Sequence, residues 1–364
     1  MTAPVVSVIV PNYNHARFLR RRIETIFEQT YQDFELILLD DCSTDDSRSI
    51  LSECSSHPRV THVEFNTVNS GSTFKQWNKG IRLARGKYIW LAESDDYADQ
   101  RLLGRLVAIL DGDPQITFAF CRSWRVVGED GNISGFAVFG AHESDPKWQQ
   151  DFCVNGRELC EEYFLGDTPV PNASAVVFRR VPYNGVGGVD ETLRTSGDRK
   201  LWAAMALAGK VGYLGEPLNY YRSHEATVRG AIWRGRRPLA VVYVKERLEV
   251  ALWVAKQVKG REAAMEKARE AHALHWVPLI ASPEISLQSK REILALVRQC
   301  DPRPLRRFLR TAPGVLRSIV WDKAIWAFRN ALWHPALKAT RAVRHPLRLD
   351  RANISAILKR IRVI

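Results

Sequence analysis

Short apolar runs alternate with amphipathic segments along the first 225 residues of the chain. The apolar runs, which indicate strands buried on both faces, occupy residues 5–11, 34–39, 88–92 and 116–121, and residues 59–65 are predicted to form a further strand. Segments with helical spacing of apolar positions lie between them, at residues 16–29, 45–54, 74–85 and 100–110. Because strands and helices alternate, the sequence predicts an α/β fold with a doubly wound, mostly parallel sheet flanked by helices.

Acidic residues follow two of these predicted strands. Asp40 and Asp41 end the second strand, and the acidic motif, residues 93–96 (Glu-Ser-Asp-Asp), follows the fourth. The carboxyl ends of parallel strands open on one edge of the sheet, where ligands bind in open α/β folds. Neighbouring carboxylates repel each other unless a cation or solvent relieves the repulsion. Two interpretations stand at this point: a metal site, or an exposed loop in which Asp99 caps the following helix.

The turn after the first strand disfavours two large classes of nucleotide-binding protein. It reads Asn12-Tyr13-Asn14-His15 and contains no Gly-x-Gly, so it lacks the dinucleotide-binding fingerprint. No Walker lysine loop occurs in the sequence either. NAD enzymes and P-loop NTPases are therefore not expected.

Four motifs occur in order in this part of the chain. They are VSVIVPNYNHARFLRRRIETIFEQTYQDFELILLDDCSTDDS, NSGSTFKQWNKGIRLARGKYIWLAESDDYAD, SGDRKLW and LNYYRSH. In this combination the chain resembles glycosyltransferase family 2, the inverting enzymes with the GT-A fold, and in particular bacterial polysaccharide glycosyltransferases. The resemblance covers about the first 225 residues.

The resemblance implies a binding site for a nucleotide-diphosphate sugar. The donor-binding residues that it implies are Pro11, Tyr13, Asp41, Lys75, Asn78, Asp95 and Arg222. Pro11, Tyr13 and Asp41 are expected around the base and ribose, and Asp95 near the ribose or donor sugar. An arginine such as Arg222 can bind two diphosphate oxygens at once.

The resemblance also implies a divalent metal, Mg²⁺ or Mn²⁺, held by Asp96 and His224. A nucleoside diphosphate leaves only when its growing negative charge is neutralised, and a cation held by hard carboxylate ligands does this. Both ions suit oxygen ligands, so the sequence does not choose between them. Common relatives read Asp-x-Asp at the acidic motif, whereas this chain begins the motif with Glu93.

An inverting transfer needs a general base for the acceptor hydroxyl, and the resemblance implies Asp198 for this role. Asp198 lies in the motif SGDRKLW, just before an apolar helical run. An acid at this position is also typical of the first turn of a helix, where the helix dipole favours negative charge. The family match, rather than the position, therefore carries the assignment.

Charge is divided unevenly along the chain. Residues 1–228 carry 24 Lys and Arg against 30 Asp and Glu, net −6, and residues 229–364 carry 29 against 10, net +19, which together give +13. We therefore expect a catalytic domain at residues 1–228 and a basic, helical C-terminal region at residues 229–364.

The basic region is predicted to be helical at residues 237–275, 286–299 and 314–333. The last segment carries three tryptophans among basic residues, as helices at membrane surfaces do. A helix docked on the catalytic domain, with its basic face in solvent, would show the same pattern. No apolar run reaches the ~18 residues needed to span a bilayer. An anionic membrane surface is thus a candidate partner, while nucleic acid is not expected, since no nucleic-acid-binding motif accompanies the arginines.

The sequence thus predicts an inverting, metal-dependent glycosyltransferase that moves a sugar from a nucleotide-diphosphate donor to a glycan or lipid-linked acceptor in cell-surface polysaccharide biosynthesis. The alternative is a catalytically silent protein of the same fold that binds a sugar nucleotide or a polysaccharide. The six cysteines form no CxxC pair and no signal peptide opens the chain. We therefore expect a cytoplasmic location, with or without peripheral attachment to the inner face of the membrane.

Overall fold

The computed structural model describes residues 4–128, 131–137, 145–224, 237–281 and 285–311. Within them, helices flank a mixed ten-stranded sheet. The strands are β1 Val6–Asn12, β2 Phe34–Asp40, β3 Val60–Phe65, β4 Tyr88–Leu91, β5 Tyr97–Ala98, β6 Ile116–Val127, β7 Asn132–Phe136, β8 Phe152–Asn155, β9 Val176–Arg179 and β10 Lys210–Ser223. The α-helices are α1 Ala16–Phe27, α2 Ser47–Cys54, α3 Thr73–Leu83, α4 Leu102–Gly112, α5 Gly156–Leu159, α6 Arg180–Gly185, α7 Gly197–Leu207, α8 Arg237–Gln257, α9 Arg261–Ala281 and α10 Leu287–Cys300.

The sheet is parallel on the side that carries the acidic residues. Its strand order is β3-β2-β1-β4-β9-β6-β10-β5, with β7 on β6 and β8 on β10. β1 pairs in parallel with β2 and β4, and β2 pairs in parallel with β3. β9, which is not among the predicted strands, runs antiparallel between β4 and β6. The predicted α/β architecture is confirmed, although the sheet is mixed rather than parallel throughout.

The predicted apolar runs are buried on both faces of the sheet. In β1, Val8 and Val10 join the core on one side, and Ile9 joins the core on the other. Leu36 and Ile37 of β2 are divided between the two cores in the same way. Helices cover both faces, so neither set of side chains needs to be polar.

The C-terminal helices belong to the same compact unit as the sheet. That unit spans residues Met1–Thr311. Val254 and Ala255 of α8 and Ala268 of α9 pack in the hydrophobic core that contains Trp202 of α7. The domain boundary predicted at residue 228 therefore falls inside one compact unit, and α8 and α9 are docked on the sheet domain.

The prediction of a single helix at residues 237–275 is wrong, because this part of the chain forms two helices, α8 and α9. Gly260 lies between them with φ of +64°, a left-handed conformation that ends helices and favours glycine. No helix among the described residues is both long enough and apolar enough to cross a membrane. The helix predicted at residues 314–333 lies outside the described residues.

Candidate active site

The acidic motif forms a turn at the carboxyl end of β4, on the predicted ligand edge. Oδ2 of Asp95 lies 3.0 Å from Nε2 of His224, the residue that follows β10. The side chain of His224 is 3% exposed. Burial raises the pKa of Asp95, but His224 and His15 outweigh burial, so the pKa is lowered overall. Asp95 is therefore an ionised carboxylate held beside an imidazole.

His15, in the turn between β1 and α1, completes a group of three possible metal ligands. One ligand atom each from His15, Asp95 and His224 lies within 4.8 Å of the other two. Oγ of Ser94 lies 2.8 Å from Nδ1 of His15 and orients that ring. A donor set with two imidazoles favours a transition metal over Mg²⁺, which prefers oxygen ligands. These residues fit a divalent cation such as Mn²⁺.

Asp96 is engaged with other partners. Its Oδ1 accepts a 2.8 Å hydrogen bond from the backbone N of Arg222, and its Oδ2 accepts a 2.5 Å bond from Nδ2 of Asn172. Burial and the charge of Asp95 raise the pKa of Asp96 to about 7. The metal role predicted for Asp96 stays a prediction, while the geometry favours Asp95.

Glu93 occupies the first acidic position of the motif and is tied to α3. Nε1 of Trp77 donates a 2.6 Å hydrogen bond to Oε1 of Glu93, and the backbone N of Glu93 donates to Oγ of Ser174 at 3.1 Å. Burial and the charge of Asp95 raise the pKa of Glu93 to about 8. The longer side chain thus links the motif to a helix.

A buried arginine lies behind the acidic motif. Arg22 of α1 is 0% exposed, and its Nε donates a 3.0 Å hydrogen bond to the backbone O of Glu93. Its guanidinium lies 5.0 Å from the ring centroid of Trp90. Burial lowers the pKa of Arg22 to about 10, against the opposing effect of the three nearby carboxylates. Arg22 stays charged at neutral pH and offsets part of the negative charge of the motif.

Arg222 braces the turn from the side of β10. Its Nε donates to the backbone O of Asp95 at 2.9 Å, and one terminal nitrogen donates to the backbone O of Gly128 at 2.8 Å. The guanidinium also lies 4.6 Å from the ring centroid of Phe18. Arg222 therefore orients the acidic motif, and its contact with the donor diphosphate stays a prediction.

Asp41, just after β2, organises the loop between β3 and α3. Its carboxylate accepts hydrogen bonds from Nδ2 of Asn66 at 2.7 Å and Nε2 of Gln76 at 2.9 Å. It also accepts from the backbone N and the hydroxyl of Ser70, at 2.8 and 2.7 Å. The loop is therefore held at the ligand edge, and a contact between Asp41 and the base stays a prediction.

Three further predicted donor residues lie near this edge. Pro11 is buried in β1 opposite Leu39. Tyr13 is 47% exposed in the turn that follows. Lys75 is exposed in the first turn of α3, with Nζ 3.4 Å from the backbone O of Ser70. Their contacts with a donor stay predictions.

Asn78 ties α3 to the segment that precedes α7. Its Nδ2 donates to the backbone O of Val189 at 2.9 Å and to Oε1 of Glu191 at 2.8 Å, and its Oδ1 accepts from the hydroxyl of Tyr183. Both ends of the amide are engaged within the protein. The donor contact predicted for Asn78 stays a prediction.

Asp198 is the second residue of α7. Its Oδ1 accepts a 2.7 Å hydrogen bond from the backbone N of Arg199, in the first turn of the helix. Negative charge is favoured at this end of the helix dipole. The position of Asp198 is therefore compatible with both roles considered from the sequence, an acid that stabilises the helix and a general base.

The turn before Asp198 packs against α3. A Cβ added at Gly197 would lie 2.6 Å from the ring of Phe74, so only glycine permits this approach. Phe74 packs edge-on against Trp77, with 5.3 Å between ring centroids, and Trp77 bonds Glu93. Helix α3 therefore connects the acidic motif to the turn that carries Asp198.

Sequence reasoning missed His15 and Asn172. His15 follows β1, and its place at the carboxyl edge of a parallel strand was a usable signal. Asn172 precedes β9, and the antiparallel direction of β9 brings this end of the strand to the carboxyl end of β4. Because the sequence pattern did not predict β9, it could not predict the contact between Asn172 and Asp96.

Residues 7–136 match the family model described as Glycosyl transferase family 2. The similarity to this family therefore concerns the part of the chain that contains β1 to β7. The matched segment contains His15, Asp41 and the acidic motif, whereas Asp198 and His224 lie beyond it.

Curated relatives are similar to this chain over part of their length. Glycosyltransferase GlyG of Streptococcus pneumoniae is 34% identical over 154 residues, which cover 41% of this chain and 46% of GlyG. The putative teichuronic acid biosynthesis glycosyltransferase TuaG of Bacillus subtilis is 36% identical over 93 residues, covering 26% of this chain and 36% of TuaG. The chain thus spans less than half the length of these two relatives.

The fold is similar to that of a solved structure. TarS 1–349 of S. aureus, in complex with UDP-GlcNAc, superposes with a TM-score of 0.51 at 16% identity, covering 83% of this chain and 91% of that one. At this identity the similarity concerns the fold alone. It confirms the predicted GT-A fold.

Proposed function

We propose that the chain is an inverting, metal-dependent glycosyltransferase that moves a sugar from a nucleotide-diphosphate donor. The group formed by His15, Asp95 and His224 at the carboxyl edge of β4 carries this proposal. The match of residues 7–136 to glycosyl transferase family 2 supports it, as does the similarity to TarS in complex with UDP-GlcNAc. The name of TuaG, with its teichuronic acid biosynthesis, supports a role in cell-surface polysaccharide synthesis.

A divalent cation bound by His15, Asp95 and His224 would neutralise negative charge on the departing diphosphate. The other residues of the site hold these ligands in place. Arg222 binds the backbone of Asp95, and Arg22 binds the backbone of Glu93. The turn is therefore fixed from two sides before any donor arrives, which lowers the cost of ordering it on binding.

Asp198 is the proposed general base. It would take the proton from the acceptor hydroxyl as the hydroxyl oxygen attacks the anomeric carbon, on the side opposite the leaving diphosphate. The bond from the anomeric carbon to the diphosphate breaks as the new glycosidic bond forms, so the configuration inverts. The carboxylate of Asp198, in the first turn of α7, would accept this proton.

The decisive experiment is a screen of UDP-, dTDP- and GDP-sugars against the full chain with MnCl₂, MgCl₂ or EDTA. We expect one donor class to bind, slow release of its nucleoside diphosphate with Mn²⁺, and loss of that release in EDTA. A donor that binds but never turns over, with any metal or acceptor, would favour the catalytically silent alternative. Binding of no donor would refute the proposal.

The acceptor is proposed to be a glycan or a lipid-linked glycan at the cytoplasmic face of the membrane. The net charge of +19 over residues 229–364 supports this location, because basic segments bind anionic lipid surfaces. Flotation with phosphatidylglycerol vesicles should recover the full chain but not a chain ending at Thr311, where the compact unit ends. Neutral phosphatidylcholine vesicles are the control, and equal flotation of both chains would contradict the membrane proposal.

A further inference from the structure

A buried glutamate of α8 binds the turn that leads into α7. The carboxylate of Glu246 accepts hydrogen bonds from the backbone N of Arg194 at 2.7 Å, of Thr195 at 2.7 Å and of Ser196 at 3.0 Å. It also accepts a 2.7 Å bond from the hydroxyl of Thr195. Glu246 is 5% exposed. Three consecutive amides thus converge on one carboxylate that lies about 50 residues further along the chain.

The hydrogen bonds divide between the two oxygens of the carboxylate. Oε1 receives the amide of Arg194, and Oε2 receives both amides that follow and the hydroxyl of Thr195. Charge-assisted bonds of this kind are shorter and stronger than bonds between neutral groups. In Glu246→Gln, the side-chain NH₂ group would replace one of the two accepting oxygens and would point its hydrogens at backbone N–H groups, which are also donors. The arrangement therefore depends on the charge as well as on the shape of Glu246.

The turn held by Glu246 ends two residues before Asp198. Ser196 is the N-cap of α7, and Gly197 lies against the ring of Phe74 on α3. The turn is thus fixed from one side by α3 and from the other by α8. A small rotation of the turn would move the first residues of α7, and Asp198 with them.

The residue after Glu246 reinforces the same junction. Arg247 donates a 2.6 Å hydrogen bond to Asp167, and its guanidinium interacts electrostatically with Asp198. Arg199, buried next to Asp198, donates a 2.7 Å bond to the backbone O of Phe164. Helix α8 therefore contacts the surroundings of Asp198 through two adjacent charged residues.

We propose that Glu246 is a positioning residue for the transfer reaction, which fixes the turn at residues 194–196 and thereby the location of Asp198 relative to the bound donor. Its role in turnover rests on the proposed function, whereas its role in ordering the turn does not. In this proposal the basic C-terminal region supplies part of the active-site framework. Positioning contributes to rate because a displacement of about 1 Å in a catalytic group can cost about a hundredfold.

Glu246→Gln tests the proposal, with Glu249→Gln as its matched control on the same helix. Glu249 is exposed and lies 3.9 Å from Lys245, so its substitution makes the same charge change without touching the turn. In Glu246→Gln we expect faster amide hydrogen exchange at residues 194–198. We also expect kcat to fall roughly 10–100-fold, with the donor KM within about twofold, because donor contacts are unchanged. Glu249→Gln should match the wild type in both measurements.

Two further measurements separate positioning from a general loss of stability. In the Asp198→Asn background, Glu246→Gln should lower kcat by less than about threefold, because there is no base left to position. Thr195→Val, which removes one hydrogen bond at similar volume, should shift exchange and kcat in the same direction but less. Should Glu246→Gln fail to fold, Thr195→Val carries the test on its own.

Equal exchange at residues 194–198 in Glu246→Gln and Glu249→Gln would overturn the ordering role of Glu246. Equal kcat in Glu246→Gln and Glu249→Gln, with a wild-type chain that is active, would overturn the role of Glu246 in turnover. A wild-type chain that transfers no sugar with any donor would refute the proposed function, and the exchange measurement would still decide the ordering role, because it needs no substrate.

Discussion

Asp95 and His224 are 129 residues apart in the chain, yet their Oδ2 and Nε2 atoms lie 3.0 Å apart. Asp96, the neighbour of Asp95, bonds instead to the backbone of Arg222 and to Asn172. Adjacent carboxylates thus have different surroundings, one beside two imidazoles and the other within a hydrogen-bond network. This difference separates a candidate ligand from a residue that holds the turn.

Substitution of the two aspartates should therefore have different effects. We expect Asp95→Asn to weaken Mn²⁺ binding at least about tenfold, because a charged ligand is lost. Asp96→Asn should change Mn²⁺ affinity less than about threefold and lower stability by roughly 1–3 kcal/mol, because a buried hydrogen-bond acceptor is replaced. Titration calorimetry with MnCl₂ and thermal melts would measure both. A larger loss of Mn²⁺ affinity in Asp96→Asn would instead support the ligand role predicted from the sequence.

Asp198→Asn should remove transfer while sparing the donor. General-base catalysis contributes roughly 10²–10⁴-fold to rates, so we expect kcat to fall within that range. Donor affinity, measured by calorimetry with the Mn²⁺ complex of the donor, should stay within about twofold of the wild type, because the proposed donor site lies on the sheet edge. Transfer at the wild-type rate would show that Asp198 only stabilises the first turn of α7.

The fold and the location of the site follow from local patterns in the sequence. Residues 36–39 are uniformly apolar because both faces of β2 are covered. The end of this apolar run also predicts where the strand ends and where Asp41 begins the ligand edge. The choice between Asp95 and Asp96 could not be predicted in this way. It depends on which side of one turn each carboxylate faces, and hence on β9 and Asn172, which no periodicity indicates.

The role of Glu246 was hidden for a different reason. The change in net charge near residue 228 indicates two regions of different composition. Net charge is set mainly by exposed residues, so it describes the surface rather than the buried contacts. The buried contacts of α8 involve a few residues, such as Glu246 and Val254, that barely change the net charge. Charge asymmetry therefore identified a basic region, but not where the compact unit ends.

Gly197→Ala should disturb the junction between α3 and α7. Its Cβ would lie 2.6 Å from the ring of Phe74, so one of the two helices must shift. Overpacking of this kind typically costs about 1–3 kcal/mol, and we expect a lower melting temperature together with lower kcat. Gly185→Ala is the control, since a Cβ there meets no described atom within 4 Å. Gly197→Ala combined with Phe74→Leu should recover part of the loss, and no recovery would place the cause elsewhere.

Asp167 should link the stability of the fold to acid. It bonds Arg247 at 2.6 Å, and although burial opposes ionisation, the charges of Arg247 and Arg199 lower the pKa of Asp167 from 3.8 to about 2. Because the folded pKa is below the unfolded one, this stabilisation is complete above about pH 4 and is lost as the pH falls toward 2.

Asp167→Asn should remove that stabilisation at neutral pH as well, because it leaves two buried guanidinium groups without their carboxylate. Fully buried pairs lose about 3–5 kcal/mol when one partner is removed. The side chain of Asp167 is 31% exposed, so solvent screening should reduce the loss to roughly 2 kcal/mol. Glu162→Gln, at an exposed pair with Lys147, should change stability by less than about 0.5 kcal/mol. Urea melts between pH 3 and 7 would measure both, and in Asp167→Asn the loss of stability below pH 4 should be shallower than in the wild type. An unchanged acid dependence in Asp167→Asn would mean that other carboxylates set the acid limit of the fold.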